Sequence, residues 1–164
     1  MSSYIRRLIQ SSPFTSLILF FCFSVLLSGF FVSWRRTEGV SMYPSLSPGS
    51  ILACTKSANG KPLNNGDCVV ADLSYWEDGL VVVKRIAGCP GDRIQVVDGV
   101  FYRNGVKESA LPIIENAGVA RQEIVLGNDE YFLLGDNPGY SLDSRDFGPV
   151  PAECITNIVI FHIF

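Results

Sequence analysis

Residues 93–107 read Arg-Ile-Gln-Val-Val-Asp-Gly-Val-Phe-Tyr-Arg-Asn-Gly-Val-Lys, with two turn signals between short apolar runs. Asp98-Gly99 separates RIQVV from VFYR, and Asn104-Gly105 separates VFYR from VK. Both dipeptides accept the positive φ angles that tight hairpin turns require. The stretch therefore predicts two β-hairpins and indicates a β-rich domain.

Similar runs rich in Val, Ile, Tyr and Phe lie on both sides of this stretch, separated by the turn-forming residues Gly, Pro, Asn and Asp. The predicted strands are Ser50–Thr55, Asp67–Leu73, Leu80–Ala87, Arg93–Val97, Val100–Arg103, Glu130–Leu134 and Ile155–Phe161. No segment after residue 34 shows sustained helical periodicity, and no internal repeat is present. We therefore expect a mainly β domain with a partly closed antiparallel arrangement.

The N-terminal part has a different composition, because the run from Pro13 to Val32 carries no charge. As a helix it would be about 30 Å long, which matches the hydrocarbon core of a bilayer. A cleaved secretory signal would have a shorter apolar core of about 7–15 residues, followed by small residues. The run instead ends in Phe-Phe-Val-Ser-Trp, and Trp34 suits a membrane interface. We therefore expect a retained transmembrane helix over residues 13–34.

The orientation of this helix depends on arginine pairs at residues 6–7 and 35–36. With the terminal amine added, the positive-inside rule slightly favours an N-terminus inside the cell. Residues 1–12 would then be cytoplasmic. Residues 35–164 would form a domain on the periplasmic or extracellular side of the cell (inner) membrane.

Composition excludes some classes of function. The net charge of -3 has the wrong sign for a nucleic-acid-binding protein. The chain has one histidine and no C-x-x-C pair, so neither a metal site nor a cofactor is expected. An exported domain could pair its four cysteines in three ways, which the sequence does not decide; these are Cys54, Cys68, Cys89 and Cys154.

Two segments contain a serine and a lysine that can perform chemistry. Ser41 lies in Glu-Gly-Val-Ser-Met-Tyr-Pro-Ser-Leu, where Gly and Pro on their own usually indicate only a turn. Lys84 follows the apolar run Leu-Val-Val-Val. Strand alternation places Lys84 and Arg85 on opposite faces without deciding which face is buried.

A third segment, residues 135–150, reads GDNPGYSLDSRDFGPV and is dense in turn-forming residues. Asp143 and Arg145 are spaced to form an ion pair, which would contribute little if it were exposed. On its own this segment predicts only a loop.

Together and in order, the motifs SMYPSL, VKRIAGCPGD and GDNxxxSLDSRDFGPV resemble the conserved boxes of type I signal peptidases. The resemblance covers most of the chain: the predicted anchor, the motif that begins at Ser41, the strand that contains Lys84, and the loop of residues 135–150. The gaps between the boxes are short. The resemblance therefore implies a near-minimal antiparallel β domain of signal-peptidase type, without the β insertion that some members carry.

The resemblance also implies a serine endopeptidase with a Ser/Lys dyad. Ser41 matches the nucleophile, and its backbone N–H matches an oxyanion-hole donor. Lys84 matches the general base, and Ser141 matches the hydroxyl residue that orients the lysine amine. Asp143 and Arg145 match a structural ion pair that holds the last loop against the site.

Three positions depart from the family pattern. Gly39 lies where some members have a serine that helps hold the oxyanion, so the second donor is not identified. Pro138 lies where many members have arginine, and Cys89 lies at a position that is usually apolar. None of these departures removes a predicted catalytic group.

The chemistry requires a base that removes the serine proton. The single histidine, His162, lies in the final apolar run NIVIFHIF, so no Ser–His–Asp set is available. Lysine can serve instead if it is neutral. Its ordinary pKa is about 10.4, and burial among apolar side chains lowers that value. Residues 81–83 and Ile86 are candidates for such surroundings.

The expected function is removal of N-terminal signal peptides from exported precursor proteins at the surface of the lipid bilayer. The resemblance implies substrates with small residues at the first and third positions before the cut, with Met42 lining the first pocket. The substrate is expected to bind in an extended conformation, with main-chain hydrogen bonds to the strand of Lys84.

Two alternatives remain open at this point. Small single-span members of the superfamily mature pilin precursors in conjugative transfer and can join the peptide ends, and the short chain suits that subgroup. The other alternative is a membrane-tethered β domain that binds partners without catalysis.

Overall fold

The computed structural model describes residues 15–22, 32–56 and 62–163. Within these residues the chain forms eleven strands: β1 Val32–Arg36, β2 Ile51–Lys56, β3 Cys68–Asp72, β4 Val81–Gly88, β5 Arg93–Val97, β6 Val100–Arg103, β7 Val106–Lys107, β8 Ile124–Val125, β9 Glu130–Leu134, β10 Val150–Pro151 and β11 Ile155–Ile163. Among the described residues from 32 onward, the helical segments are one four-residue α-helix and three 3-10 turns. The helix is Ser144–Phe147, and the turns are Gly118–Arg121, Pro138–Tyr140 and Ala152–Cys154.

The strands form two sheets. The larger has the order β1-β2-β11-β3-β4-β9-β10, and the smaller has the order β7-β6-β5-β8. From β2 to β10, and throughout the smaller sheet, neighbouring strands are antiparallel. The prediction of a mainly β, antiparallel domain is therefore confirmed.

All seven predicted strands are present with closely similar bounds. The two hairpin turns also have the backbone conformation that their sequences require. Asp98 and Gly99 have φ of 48° and 78°, and Asn104 and Gly105 have φ of 55° and 75°. Four observed strands are missing from the predicted list: β1, β7, β8 and β10. The last three have only two residues each, which is too short to give a periodic signal.

The N-terminal region is described only in part. Residues 15–22 are helical and exposed, and no helix among the described residues is long and apolar enough to cross a bilayer. The predicted anchor, residues 13–34, otherwise lies mostly outside the described residues. Its last three residues, 32–34, belong to β1, and the predicted connector from Arg35 begins inside that strand. The reason is that β1 pairs with β2 at the edge of the larger sheet.

Residues 34–164 form one compact unit. Its buried hydrophobic side chains form three clusters. The first contains residues from strands of the larger sheet. The second contains residues from both sheets. The third cluster contains Met42, Leu46, Leu52, Cys54 and Val70. Because it joins the segment after Ser41 to β2 and β3, this cluster fixes the position of that segment on the larger sheet.

Candidate active site

Ser41 begins a turn that lies between β1 and β2. The next residue, Met42, is buried, and its carbonyl accepts a hydrogen bond of 2.8 Å from the N–H of Leu46. The carbonyl of Val40 accepts a hydrogen bond of 3.1 Å from the N–H of Tyr43. The buried Met42 and Leu46 therefore anchor the turn, while Ser41 stays partly accessible.

Lys84 lies in the middle of β4, and its side chain is on the buried face. Val82, Lys84 and Ile86 are all buried, with alternate residues less so, which decides the face that the sequence left open. Lys84 is only 3% exposed. Its Nζ lies 2.8 Å from Ser41 Oγ and donates a hydrogen bond of 3.1 Å to the carbonyl of Val83.

Burial is the largest influence on the Lys84 amine and lowers its pKa below the ordinary lysine value. The charge of Arg145 acts in the same direction. Asp143, Cys68 and Asp136 act in the opposite direction and do not reverse the effect. The amine therefore releases its proton more easily than an exposed lysine does.

A cleft of about 340 Å³ opens at this pair of residues. Its walls include Ser41, Met42, Lys84 and residues 81–83 of β4. The register of β9 with β4 begins at Arg85, so β9 leaves residues 81–84 without a registered partner on that side. The cleft therefore lies beside a strand edge that can pair with an extended peptide.

The predicted pair Asp143 and Arg145 is present and buried. Nε of Arg145 lies 2.7 Å from Oδ1 of Asp143, and their side chains are 4% and 0% exposed. A second guanidinium nitrogen donates a hydrogen bond of 2.9 Å to Oδ2. Asp143 also caps the helix Ser144–Phe147 and accepts a hydrogen bond of 3.0 Å from the N–H of Gly135. The pair therefore ties the loop to the end of β9.

The guanidinium group of Arg145 also donates hydrogen bonds to three backbone carbonyls, those of Asn116, Pro138 and Ser141. Gly118 lies against the same residue, because a Cβ added there would be 2.0 Å from the Arg145 carbonyl oxygen. Its φ of 51° is also one that side-chain-bearing residues rarely adopt. Arg145 therefore connects the loop at residues 116–118 to the loop at residues 138–141.

Ser141 lies in the same loop as Asp143 and Arg145, but its side chain does not make the predicted hydrogen bond to the Lys84 amine. Its Oγ is buried and has no hydrogen-bond partner. A Cβ added at Gly135 would be 2.2 Å from this Oγ and 2.6 Å from the carbonyl oxygen of Ser41. The hydroxyl therefore packs against the Gly135 backbone, next to the serine turn, and its role in orienting the amine stays a prediction.

Two contacts of the Gly135-Asp136-Asn137 segment were not predicted from the sequence. Asp136 accepts hydrogen bonds of 2.7 and 2.5 Å from the guanidinium of Arg85. Asn137 donates its backbone N–H to the carbonyl of Ser41 at 2.9 Å and its side-chain Nδ2 to the carbonyl of Val40 at 3.2 Å. No spacing in the sequence indicates these contacts, because the partners are 51 and 97 positions apart.

The cysteines and the histidine lie outside this arrangement of Ser41 and Lys84. Cys68, Cys89 and Cys154 are free thiols, and burial raises the pKa of Cys68 to about 12. His162 lies in β11 opposite Leu52. Across the described ranges, no group of three His, Cys, Asp or Glu residues is arranged to hold a metal ion.

A serine hydroxyl beside a buried lysine amine is the arrangement of Ser–Lys hydrolases, in which a neutral amine replaces the histidine of the Ser–His–Asp triad. The family model described as "Signal peptidase, peptidase S26" matches residues 10–164. The chain belongs to this family.

Two signal peptidases of Bacillus agree with the family match. Signal peptidase I V of Bacillus subtilis (strain 168) is 33% identical over 140 residues, covering 76% of this chain and 81% of the relative. Signal peptidase I of Bacillus caldolyticus is 34% identical over 156 residues, covering 86% and 84%. A crystal structure of a signal peptidase I from Enterococcus faecalis V583 is 24% identical, covers 60% of this chain and 97% of that chain, and has a TM-score of 0.47.

Proposed function

We propose that this chain is a serine endopeptidase that removes N-terminal signal peptides from exported precursor proteins, with Ser41 as nucleophile and Lys84 as general base. The observation that carries this proposal is the distance of 2.8 Å between the buried amine of Lys84 and Ser41 Oγ. The chain's membership of the signal peptidase family supports precursor proteins with signal peptides as the substrates.

In the proposed reaction, the neutral amine of Lys84 takes the proton of Ser41 while Oγ attacks the scissile carbonyl carbon. The backbone N–H of Ser41 stabilises the oxyanion that forms. The C–N bond then breaks as the ammonium of Lys84 returns its proton to the leaving amine. The same lysine then deprotonates a water molecule, whose oxygen attacks the acyl carbon. The bond from this carbon to Ser41 Oγ breaks, Lys84 returns the proton to Oγ, and the signal peptide leaves with a new C-terminal carboxyl group.

The cleft supports an extended substrate. A peptide lying along residues 81–83 would add main-chain hydrogen bonds at the strand edge, and its side chains would alternate between the cleft and solvent. Met42 lies in the wall of this cleft. The family resemblance implies that the substrate has small side chains before the cut, because large ones would clash in shallow pockets.

The proposed membrane attachment rests on the sequence. Residues 13–32 carry no charge and are long enough to span a bilayer as a helix. Ser41 follows Ser33 by eight positions, so even a fully extended link reaches only about 26 Å. With the slight preference of the positive-inside rule, we place residues 1–12 in the cytoplasm, a single span within residues 13–31, and the domain that begins with β1 at Val32 at the outer surface.

Detergent-solubilised full-length chain should be incubated with a secretory precursor, and the products examined by mass spectrometry. The proposal expects one cut after a segment with small residues at the first and third positions. The Ser41→Ala variant should produce no cut, while Ser109→Ala, at an exposed loop serine, should cut normally. Uncut precursor, together with no labelling of Ser41 by a serine-directed acylating inhibitor, would instead support a non-catalytic binding domain.

The same experiment separates signal-peptide removal from pilin maturation. A pilin precursor is supplied in a parallel reaction, and the ends of each product are identified. Linear products from both precursors agree with general signal-peptide removal. Cutting of the pilin precursor alone, or joined ends, would assign the chain to conjugative transfer.

Membrane attachment needs its own measurement. Full-length chain expressed in cells should stay in the membrane fraction after alkaline carbonate extraction, and external protease should digest residues 35–164 in spheroplasts. A chain lacking residues 1–31 should be released by the same extraction. Release of the full-length chain would contradict the anchor.

A further inference from the structure

Asn137 holds the backbone on both sides of Ser41. Its side-chain Nδ2 donates to the carbonyl oxygen of Val40 at 3.2 Å, and its backbone N–H donates to the carbonyl oxygen of Ser41 at 2.9 Å. The two carbonyls belong to the peptide groups immediately before and after the Cα of Ser41. One residue therefore contacts both peptide groups that fix the orientation of Ser41.

The side chain of Asn137 is not used for the local purpose that its position suggests. Asn137 is the N-cap of the 3-10 turn Pro138–Tyr140, a place where asparagine commonly accepts a hydrogen bond from the following backbone. No such side-chain bond is formed here. The amide reaches instead to Val40, 97 positions away in the sequence.

The peptide group between Val40 and Ser41 gives this contact its importance. A peptide group is planar, so the direction of the Val40 carbonyl fixes the direction of the Ser41 N–H on the opposite side. That N–H is the donor that the proposed mechanism directs at the oxyanion. A hydrogen bond to the carbonyl also polarises the group and makes its N–H a stronger donor. The N–H of Tyr43 donates to the same carbonyl at 3.1 Å, so the amide of Asn137 is its second donor and adds to that effect.

We infer that Asn137 is a positioning residue, which aligns and polarises the Val40–Ser41 peptide so that the Ser41 N–H stabilises the oxyanion. The inference rests on the proposed function. It carries particular weight in this chain because residue 39 is glycine and offers no side-chain hydroxyl as a second donor. The backbone donor then has to stabilise the developing charge without that help.

The test uses Asn137→Ala, which removes the side-chain bond and leaves the backbone N–H in place. Two quantities should change in parallel: kcat for a precursor peptide should fall about tenfold or more, and affinity for a peptide aldehyde that forms a tetrahedral adduct should fall by a similar factor. KM, the affinity for the uncleavable signal-peptide product and the midpoint of the acid limb of the pH profile should stay as in the wild type.

Asn137→Asp provides a second variant of nearly the same size, which keeps the test valid if the alanine variant unfolds. Its carboxylate cannot donate to the Val40 carbonyl, so kcat should fall at least as far as in Asn137→Ala. Asn128→Ala, at an exposed turn residue, is the matched control and should behave like the wild type. Thermal unfolding of every variant accompanies the kinetics.

The outcomes are distinct. If Asn137→Ala keeps kcat within twofold of an active wild type, or if aldehyde and product affinities fall together with the melting temperature, the positioning role is wrong while the peptidase function stands. A wild type that neither cleaves the precursor nor binds the aldehyde would overturn the proposed function and this inference with it.

Discussion

The Nζ of Lys84 and the Oγ of Ser41 lie 2.8 Å apart, although 43 positions separate the two residues in the sequence. The hydroxyl belongs to a turn anchored by the buried Met42, and the amine comes from the buried face of β4. Burial lowers the pKa of the amine. The packing that buries β4 therefore also lowers the pKa of the amine that we propose as the base.

Lys84→Arg should lose kcat/KM for a precursor peptide by about three orders of magnitude or more. A guanidinium keeps its proton at every accessible pH, so it cannot accept the proton of Ser41. Steady-state cleavage of a fluorogenic precursor peptide measures the loss. Lys107→Arg, at an exposed lysine of β7, makes the same chemical change and should cleave normally. Wild-type rates in the Lys84→Arg variant would exclude Lys84 as the base.

The pH dependence of kcat/KM follows from the lowered pKa of Lys84. The proposed mechanism requires a neutral amine, so kcat/KM should rise with pH and its acid limb should have a midpoint below the ordinary lysine value of about 10.4. The profile should be recorded over the pH range in which circular dichroism shows the chain to be folded. An acid limb centred at or above the ordinary value would contradict a base prepared by burial.

Local signals in the sequence predict much of the fold. Asp98-Gly99 and Asn104-Gly105 specify their turns because the required positive φ angles depend only on the two residues themselves. The apolar run before Lys84 likewise predicts β4. The roles of Ser41 and Lys84 came from the resemblance of three boxes, since a serine in a turn and a lysine in a strand have no catalytic meaning alone.

Other features depend on how distant segments pack, and the sequence could not supply them. Alternation in β4 offered two faces, and the choice of the Lys84 face is decided only in the folded chain, where the turn at Ser41 lies against Lys84. The hydrogen bond from Asn137 to Val40 depends on two loops meeting across 97 positions. Packing also explains Ser141, whose hydroxyl lies against Gly135 and has no hydrogen-bond partner.

Arg145→Met should destabilise the fold by about 3–5 kcal/mol, because it leaves the carboxylate of Asp143 buried without its partner. The same change frees three backbone carbonyls that Arg145 contacts. Urea unfolding of the domain in detergent measures the effect. Arg93→Met is the matched control, because its ion pair with Glu123 is exposed and should contribute little. Equal unfolding midpoints for the two variants would show that burial does not give the Asp143–Arg145 pair its importance.

Gly135→Ala should displace the turn that begins at Ser41, because residue 135 of the neighbouring loop packs against that turn. Its Cβ would lie 2.2 Å from Ser141 Oγ and 2.6 Å from the carbonyl oxygen of Ser41, and that carbonyl is already held at 2.9 Å by the N–H of Asn137. The serine turn must therefore shift, and a displacement of about 1 Å at reacting atoms can reduce the rate about 100-fold.

Gly139→Ala tests the same loop without the collision, since a Cβ added there meets nothing within 4 Å. It should keep the wild-type kcat, whereas Gly135→Ala should lose kcat for the precursor peptide and also unfold at a lower temperature. If both glycine variants kept wild-type rates, the serine turn would have to tolerate movement of its backbone. In that case, the close packing of residue 135 against Ser41 and Ser141 does not determine where Ser41 Oγ lies relative to Lys84.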